Sequence, residues 1–164
     1  MTQTLPQVAH EHHERILHHV DRMPEIADAM LTAKADDVHR SVAEMAVFLT
    51  GTLVPHIDAA ERTLYPELER MFQNRHSMAP MRREHEEIRR LVAELETMVG
   101  AADASRFTLG RTLALRRVMF RLYSLLKIHL AEEEAYLRIV EHGVTADVAD
   151  MLAAAMDHPG IPTT

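Results

Sequence analysis

The architecture of this chain is indicated by two stretches of sequence, LVPHIDAAERTLYP at residues 53–66 and LKIHLAEEEAYL at residues 126–137. Each stretch places a histidine, His56 or His129, after an apolar helical pattern and before a group of acidic residues. The two histidines lie 73 residues apart. This spacing suggests that the second half of the chain repeats the first.

A second pair of related segments supports the repeat. The sequence reads HERI at residues 13–16 and HEEI at residues 85–88, so His13 and His85 are separated by 72 residues. The two offsets differ by a single residue, and the chain therefore reads as two copies of one helix pair. A bundle built in this way brings all four histidines to the same depth.

Composition favours a helical protein with one core. The 164 residues are 47% hydrophobic and 26% charged, which suits a single domain over residues 1–164. Only five glycines and 4% aromatic residues are present, whereas an all-β chain needs frequent turns and many aromatic or β-branched residues. We therefore predict an all-α fold.

Charge and residue usage exclude several classes of function. A net charge of −7 without a Lys/Arg cluster argues against binding nucleic acid. The absence of cysteine leaves only nitrogen and oxygen donors for a metal. The N-terminal sequence has no signal-peptide pattern, and no run of 18 apolar residues predicts a membrane span. We expect a cytoplasmic protein that does not bind membranes, as a monomer or weak homodimer.

Apolar residues at helical spacing predict four long helices in a core spanning about residues 6–142. Pro24 should bend the first helix, Asp36 or Asp37 should cap the second, and Pro55 and Pro66 should kink the second on either side of its histidine. The predicted helices are 6–31, 36–72, 80–99 and 112–142, followed by a short fifth C-terminal helix at about 146–157.

The four histidines fall on the buried stripes of these helices. His56 and His129 each continue the apolar face of their helix, and His13 and His85 each lie three residues before an inward isoleucine. A buried imidazole without a partner costs about 1–3 kcal/mol, so four of them are better explained by a shared metal. Glu133 lies one turn after His129 on the same face and is the best carboxylate ligand.

The corresponding carboxylate in the first half is ambiguous. Ala60 stands four residues after His56, and the nearest acid, Glu61, is rotated by about 140° from His56 on a regular helix. The flanking prolines could distort the helix enough to make Glu61 a ligand, or Glu61 could simply be solvated. His12 could replace His13 as a ligand. The remaining histidines are expected at the surface or at helix ends, and the three tyrosines at the edge of the core.

These residues together resemble the hemerythrin-like, HHE cation-binding family. The resemblance rests on the family's order H, H-x3-E, H, H-x3-E, which this chain matches except at Ala60, on ExxLYP at residues 61–66 and on EHExI at residues 84–88. It implies an up-down-up-down four-helix bundle holding a non-haem pair of iron ions, bridged by carboxylates or an oxo group. The positions that match the family's metal ligands are His13, His56, His85, His129 and Glu133, with Glu61 as the sixth candidate.

Two departures from the family pattern bear on function. Ala60 replaces the first bridging glutamate, and Met81 stands where oxygen-carrying members have an additional histidine. The resemblance implies a small diatomic or peroxide ligand, such as O2, NO or H2O2, which is either bound or consumed by iron-dependent redox chemistry, and the two departures argue against reversible oxygen transport. The alternatives are a mononuclear iron or zinc protein and a structural or partner-binding bundle with a degenerate site. Zinc and manganese also accept imidazole and carboxylate ligands.

Overall fold

The computed structural model describes residues 5–100 and 108–141, and every regular element within those ranges is helical. Two of the elements are π turns, in which each backbone N–H bonds to the carbonyl five residues earlier. The helices are α1 (Leu5–Val20), α2 (Met23–Ala29), α3 (Ala35–Phe48), α4 (Val54–Ala59), α5 (Tyr65–Met71), α6 (Ala79–Gly100) and α7 (Leu109–Glu141), with π turns at Leu49–Leu53 and Ala60–Leu64.

These elements form the four helices of an up-down-up-down bundle. The first consists of α1 and α2, the second runs without interruption from α3 to α5, and α6 and α7 are the third and fourth. Helices α1 and α2 pack on α7, α3 packs on α2 and α6, and α6 packs on α7. The predicted all-α bundle is confirmed, whereas the predicted fifth helix at 146–157 lies outside the described residues. No helix in the described ranges is long and apolar enough to span a bilayer.

The apolar stripes read from the sequence form the interior. Most of their members are buried, including Ile16 and Val20 of α1, Val42 of α3, Ile88 of α6 and Leu122 of α7. A smaller apolar group lies at one end of the bundle, and we call it the Tyr65 cluster. It consists of Ala60, Leu64, Tyr65, Leu68, Met78, Met81 and Leu137.

The first helix breaks where a continuous bent helix was predicted. It ends at Val20 and restarts at Met23, so Pro24 occupies the first turn of α2. A proline ring clashes with the carbonyl four residues earlier and provides no N–H, and the residue four before Pro24 is Val20. The chain avoids this clash by ending α1 there, and proline is well tolerated at the start of the new helix.

The predicted cap of the second helix was also wrong. Helix α3 begins at Ala35, its N-cap is Lys34, and no side chain makes the capping hydrogen bond. Asp36 and Asp37 instead lie in the first turn, where a negative charge interacts favourably with the helix dipole. The acidic pair therefore marks the start of the helix by charge rather than by capping.

The second helix accommodates its two internal prolines through π turns. One π turn, Leu49–Leu53, ends two residues before Pro55, and the other, Ala60–Leu64, ends two residues before Pro66. A π turn adds a residue to one turn of the helix and changes which residues share a face beyond it. His56 therefore lies on a short α-helical segment between two phase changes.

Gly51 offers a test of this segment. It is exposed within the first π turn, and an added Cβ would meet no atom within 4 Å. We expect Gly51→Ala to stabilise the protein by about 0.4–1 kcal/mol, because alanine restricts the unfolded chain without introducing a clash. Urea denaturation would measure the change. A destabilised variant would show that the π turn requires the backbone freedom of glycine.

Candidate metal centre

Five of the predicted ligands meet in the interior of the bundle. His13 comes from α1, His56 from α4, His85 from α6, and His129 and Glu133 from α7, so all four helices contribute. None of the five is more than 1% exposed. Buried imidazole and carboxylate groups need partners, so their convergence requires an explanation beyond packing.

One set of three, the His13 half, consists of His13, His56 and Glu133. The carboxylate oxygen Glu133 Oε2 lies 3.3 Å from His13 Nε2 and 3.1 Å from His56 Nε2. One donor atom from each of the three residues falls within 4.8 Å of the others. A single metal ion could bind all three atoms.

A second set, the His85 half, consists of His85, His129 and again Glu133. The atoms His85 Nε2 and His129 Nε2 are 2.9 Å apart, and this set meets the same 4.8 Å condition. Glu133 therefore belongs to both halves. A carboxylate shared between two groups of histidines is the arrangement needed to bridge two cations.

The hydrogen bonds around the His85 half fit a bound cation. His85 Nδ1 lies 2.8 Å from Glu61 Oε1, and His129 Nδ1 lies 2.8 Å from Glu84 Oε2. An ionised carboxylate only accepts hydrogen bonds, so both Nδ1 atoms carry protons and both Nε2 atoms of the neutral rings present lone pairs. The Tyr65 hydroxyl, 3.1 Å from His85 Nε2, can donate to one of them. Two facing lone pairs are stabilised by a cation placed between them.

An unsatisfied oxygen at the His13 half also fits a metal. Within the described part of the chain, Glu133 Oε1 is buried without a hydrogen-bond partner. Leaving such a group unpaired costs about 1–3 kcal/mol. The free oxygen of Glu133 would gain a partner if the carboxylate bridged two ions.

The protonation states match those that metals require. Burial, together with the neighbouring His129, lowers the pKa of His85 to about 4, and burial also lowers the pKa of His56. Burial opposes ionisation of Glu133, but hydrogen bonds from His13 and His56 hold its pKa well below the usual range. Neutral imidazoles and an ionised carboxylate are the metal-binding forms of these side chains.

Glu61 does not join either half. Its side chain is 26% exposed, and both oxygens are already engaged. Oε1 accepts hydrogen bonds from His85 Nδ1 and Arg89, and Oε2 accepts another from Arg89. Burial disfavours its charge, but the hydrogen bonds of Arg89 and His85 lower its pKa overall. Its role as a direct metal ligand stays a prediction. In the structure, Glu61 contacts Nδ1 of His85, whereas Nε2 of the same ring faces His129.

His12, the alternative to His13, lies beside the centre. Its side chain is 4% exposed, and its ring centroid is 4.9 Å from that of His56. Its Nδ1 lies 3.3 Å from Arg15, and the two sets of three ligands contain His13 instead. His12 thus packs against the ring of His56.

Two further side chains at the centre were not identified from the sequence. Tyr65, expected at the core edge, is fully buried and points its hydroxyl at His85. It lies nine residues after His56, which is the opposite side of a regular helix, so only the π turn explains its position. Glu84 immediately precedes His85 but contacts His129 on another helix. Its adjacency to a histidine was the only available signal.

The two positions that depart from the family pattern are apolar and buried. Ala60 is 0% exposed and Met81 is 1% exposed, and both belong to the Tyr65 cluster. This cluster also contains the Tyr65 side chain that reaches His85. An apolar wall therefore stands where additional donors would otherwise be.

Comparison with known proteins gave one match. The model of a family described as the hemerythrin HHE cation-binding domain matches residues 5–137, and it matches again over residues 80–158. The first match alone covers most of the chain and includes all five residues of the two halves. No curated protein and no solved structure matched.

Proposed function

Because this chain belongs to the hemerythrin HHE cation-binding domain family, we propose that it holds two iron ions and uses them to bind or turn over a small ligand such as O2, NO or peroxide. One observation carries the proposal. Glu133 completes both sets of histidines, so a single carboxylate can serve two ions. His13 and His56 would hold one ion and His85 and His129 the other, with Glu133 common to both.

The donor set is compatible with iron, and also with zinc and manganese. Each half offers two imidazole nitrogens and one carboxylate oxygen, and the sequence contains no cysteine. Imidazole suits iron and zinc, whereas carboxylate also suits manganese. Iron is the proposed ion because the resemblance to hemerythrins implies it and because iron would supply the electrons for reaction with O2, NO or peroxide.

Burial supports a ligand of very few atoms. His56, His85 and Glu133 are fully buried, and His13 and His129 are each only 1% exposed. A larger substrate could not contact these side chains without separating the helices, whereas a diatomic molecule or peroxide needs little space. The function of the surrounding helices is thus to exclude water and larger reductants from the centre.

The Tyr65 side chain would position such a ligand. The Tyr65 hydroxyl lies 3.1 Å from His85 Nε2. Burial and, to a smaller extent, the charge of Glu133 raise the pKa of Tyr65, so in the absence of metal the hydroxyl keeps its proton and can donate a hydrogen bond. Among the side chains of the Tyr65 cluster, this hydroxyl is the only hydrogen-bond donor. The sulfur atoms of Met78 and Met81 are weak acceptors. Tyr65 can therefore donate a hydrogen bond to a small ligand at the His85 half.

The proposal can be tested with reduced, iron-loaded protein. We expect it to oxidise rapidly in air without releasing oxygen reversibly, and the oxidised protein to react with H2O2 or NO. The reason is that Ala60 and Met81 leave the centre with fewer metal-binding side chains than an oxygen carrier has. One coordination position of an iron ion would therefore lack a protein ligand and could take up a small molecule. Stopped-flow absorbance would record both reactions. Reversible release of oxygen under vacuum would contradict redox turnover, and a spectrum that no ligand changes would favour a structural bundle.

The variant Met81→His is the internal control for this experiment. It adds the imidazole that the sequence lacks one turn before His85. If the missing donor sets the reactivity, the variant should oxidise more slowly in air than the wild type. An unchanged rate would show that Met81 is not the cause.

A further inference from the structure

The two halves of the centre differ in what lies behind their histidines. In the His85 half, each imidazole uses its Nδ1 to contact a carboxylate at 2.8 Å, Glu61 for His85 and Glu84 for His129. Both carboxylates are partly buried, with side chains 26% and 24% exposed. Such outer carboxylates fix the ring orientation and increase the basicity of the nitrogen that faces the metal.

One of these carboxylates is itself held in place. Arg89 donates to Glu61 Oε1 at 3.0 Å and to Glu61 Oε2 at 3.1 Å, and it also contacts Asp58 at 2.6 Å. Arg89 lies one turn after His85 on α6. The same helix therefore supplies a ligand and the cation that orients the carboxylate behind that ligand.

The His13 half has no equivalent support. Within the described residues, His13 Nδ1 and His56 Nδ1 are buried and without a hydrogen-bond partner. Both rings direct Nε2 at Glu133. An ion bound at these Nε2 atoms would require each Nδ1 to carry a proton, and that proton would have no acceptor among the residues of the described ranges. Metal binding in this half is therefore opposed by two unsatisfied donors.

From this difference we infer that Glu61 and Glu84 are positioning residues that make the His85 half the tighter metal position, and that the two halves load in order, the His85 half first. The inference rests on the proposed function, because it presupposes that the centre binds metal. It adds a role for two carboxylates that lie outside the two sets of three residues. It also explains how an asymmetric centre arises from a repeated sequence, because the described parts of the chain make these carboxylate contacts in only one half.

Titration of the metal-free chain with Co²⁺ would test the inference without depending on activity. Absorbance and calorimetry should show two binding steps whose dissociation constants differ by about 10-fold or more. Glu84→Gln and Glu61→Gln should each weaken the tighter step by about 10- to 100-fold, because the carboxamide keeps the shape but loses the charge. The weaker step should be unchanged. Glu87→Gln is the matched control, since Glu87 is on α6 but pairs with Arg90 and Arg121 at the surface.

The outcomes separate this inference from the proposed function. Wild-type protein that binds no Co²⁺ would contradict the proposed function, and the inference would fail with it. Two steps of equal affinity, or glutamine variants that titrate like Glu87→Gln, would overturn the inference alone. Loss of affinity in the weaker step only would overturn it as well.

A second measurement does not depend on variants that must fold. Nitrogen-15 NMR of the metal-free wild type reports which ring nitrogen carries the proton. We expect a proton on Nδ1 of His85 and His129, and no proton on Nδ1 of His13 and His56. Rings of His85 and His129 protonated on Nε2 alone would contradict the role of Glu61 and Glu84.

Discussion

Replacing Glu133 with alanine is expected to abolish the binding of both proposed metal ions while the protein remains helical. Among the described residues, Glu133 is the only carboxylate that both halves share, so its loss removes one candidate ligand from each. Loss of an outer partner costs about 10- to 100-fold in metal affinity, and loss of a ligand should cost more than about 100-fold. Metal analysis after anaerobic loading and desalting, with circular dichroism on the same sample, would measure both properties.

The neighbouring glutamate supplies the control for this substitution. Glu134 is only partly buried and pairs with His10 and Arg138, so Glu134→Ala should retain both ions. Glu133→Gln should behave like Glu133→Ala, because a carboxamide preserves the volume but cannot bridge two cations as an anion does. A Glu133→Ala protein that keeps one tightly bound ion would show that the carboxylate is not shared.

The variants His56→Ala and His129→Ala should each lose one of the two ions. His56 belongs only to the His13 half and His129 only to the His85 half, so each substitution disrupts one position. His129→Ala should remove the tighter step of a metal titration, and His56→Ala the weaker one. The helices should persist, because the apolar stripes on which the bundle depends are untouched. The combined variant should bind neither ion.

An exposed histidine controls for a general effect of losing an imidazole. His18 is exposed on α1, and His18→Ala should bind as much metal as the wild type. Unchanged metal content in both His56→Ala and His129→Ala would contradict the assignment of the site. Loss of both ions from each single variant would show instead that the two positions bind cooperatively.

The sequence was sufficient to predict the bundle and five of the converging residues. Apolar residues at helical spacing identify the face of each helix that enters the core, and His13, His56, His85 and His129 continue those faces. Glu133 could be placed because it follows His129 by one turn of an undisturbed helix. All five are buried together, because burial follows directly from helical periodicity.

The remaining features depend on departures from regular helices or on contacts between helices. The π turn at Ala60–Leu64 changes the phase after His56, so Tyr65 reaches His85 although a regular helix would direct it away. Glu61 and Glu84 contact histidines on other helices, and no spacing along one helix encodes such a contact. Periodicity alone therefore identified the residues that converge in the interior but not the groups that orient their rings.

The central claim is that Glu133 bridges two ions, and anomalous X-ray diffraction at the iron absorption edge tests it most directly. Crystals of the protein loaded anaerobically with Fe²⁺ should show two anomalous peaks about 3.5–4 Å apart. One peak should lie beside His13 and His56 and the other beside His85 and His129, with a carboxylate oxygen of Glu133 next to each. A single peak within the bundle, or iron bound only at the surface, would contradict the claim.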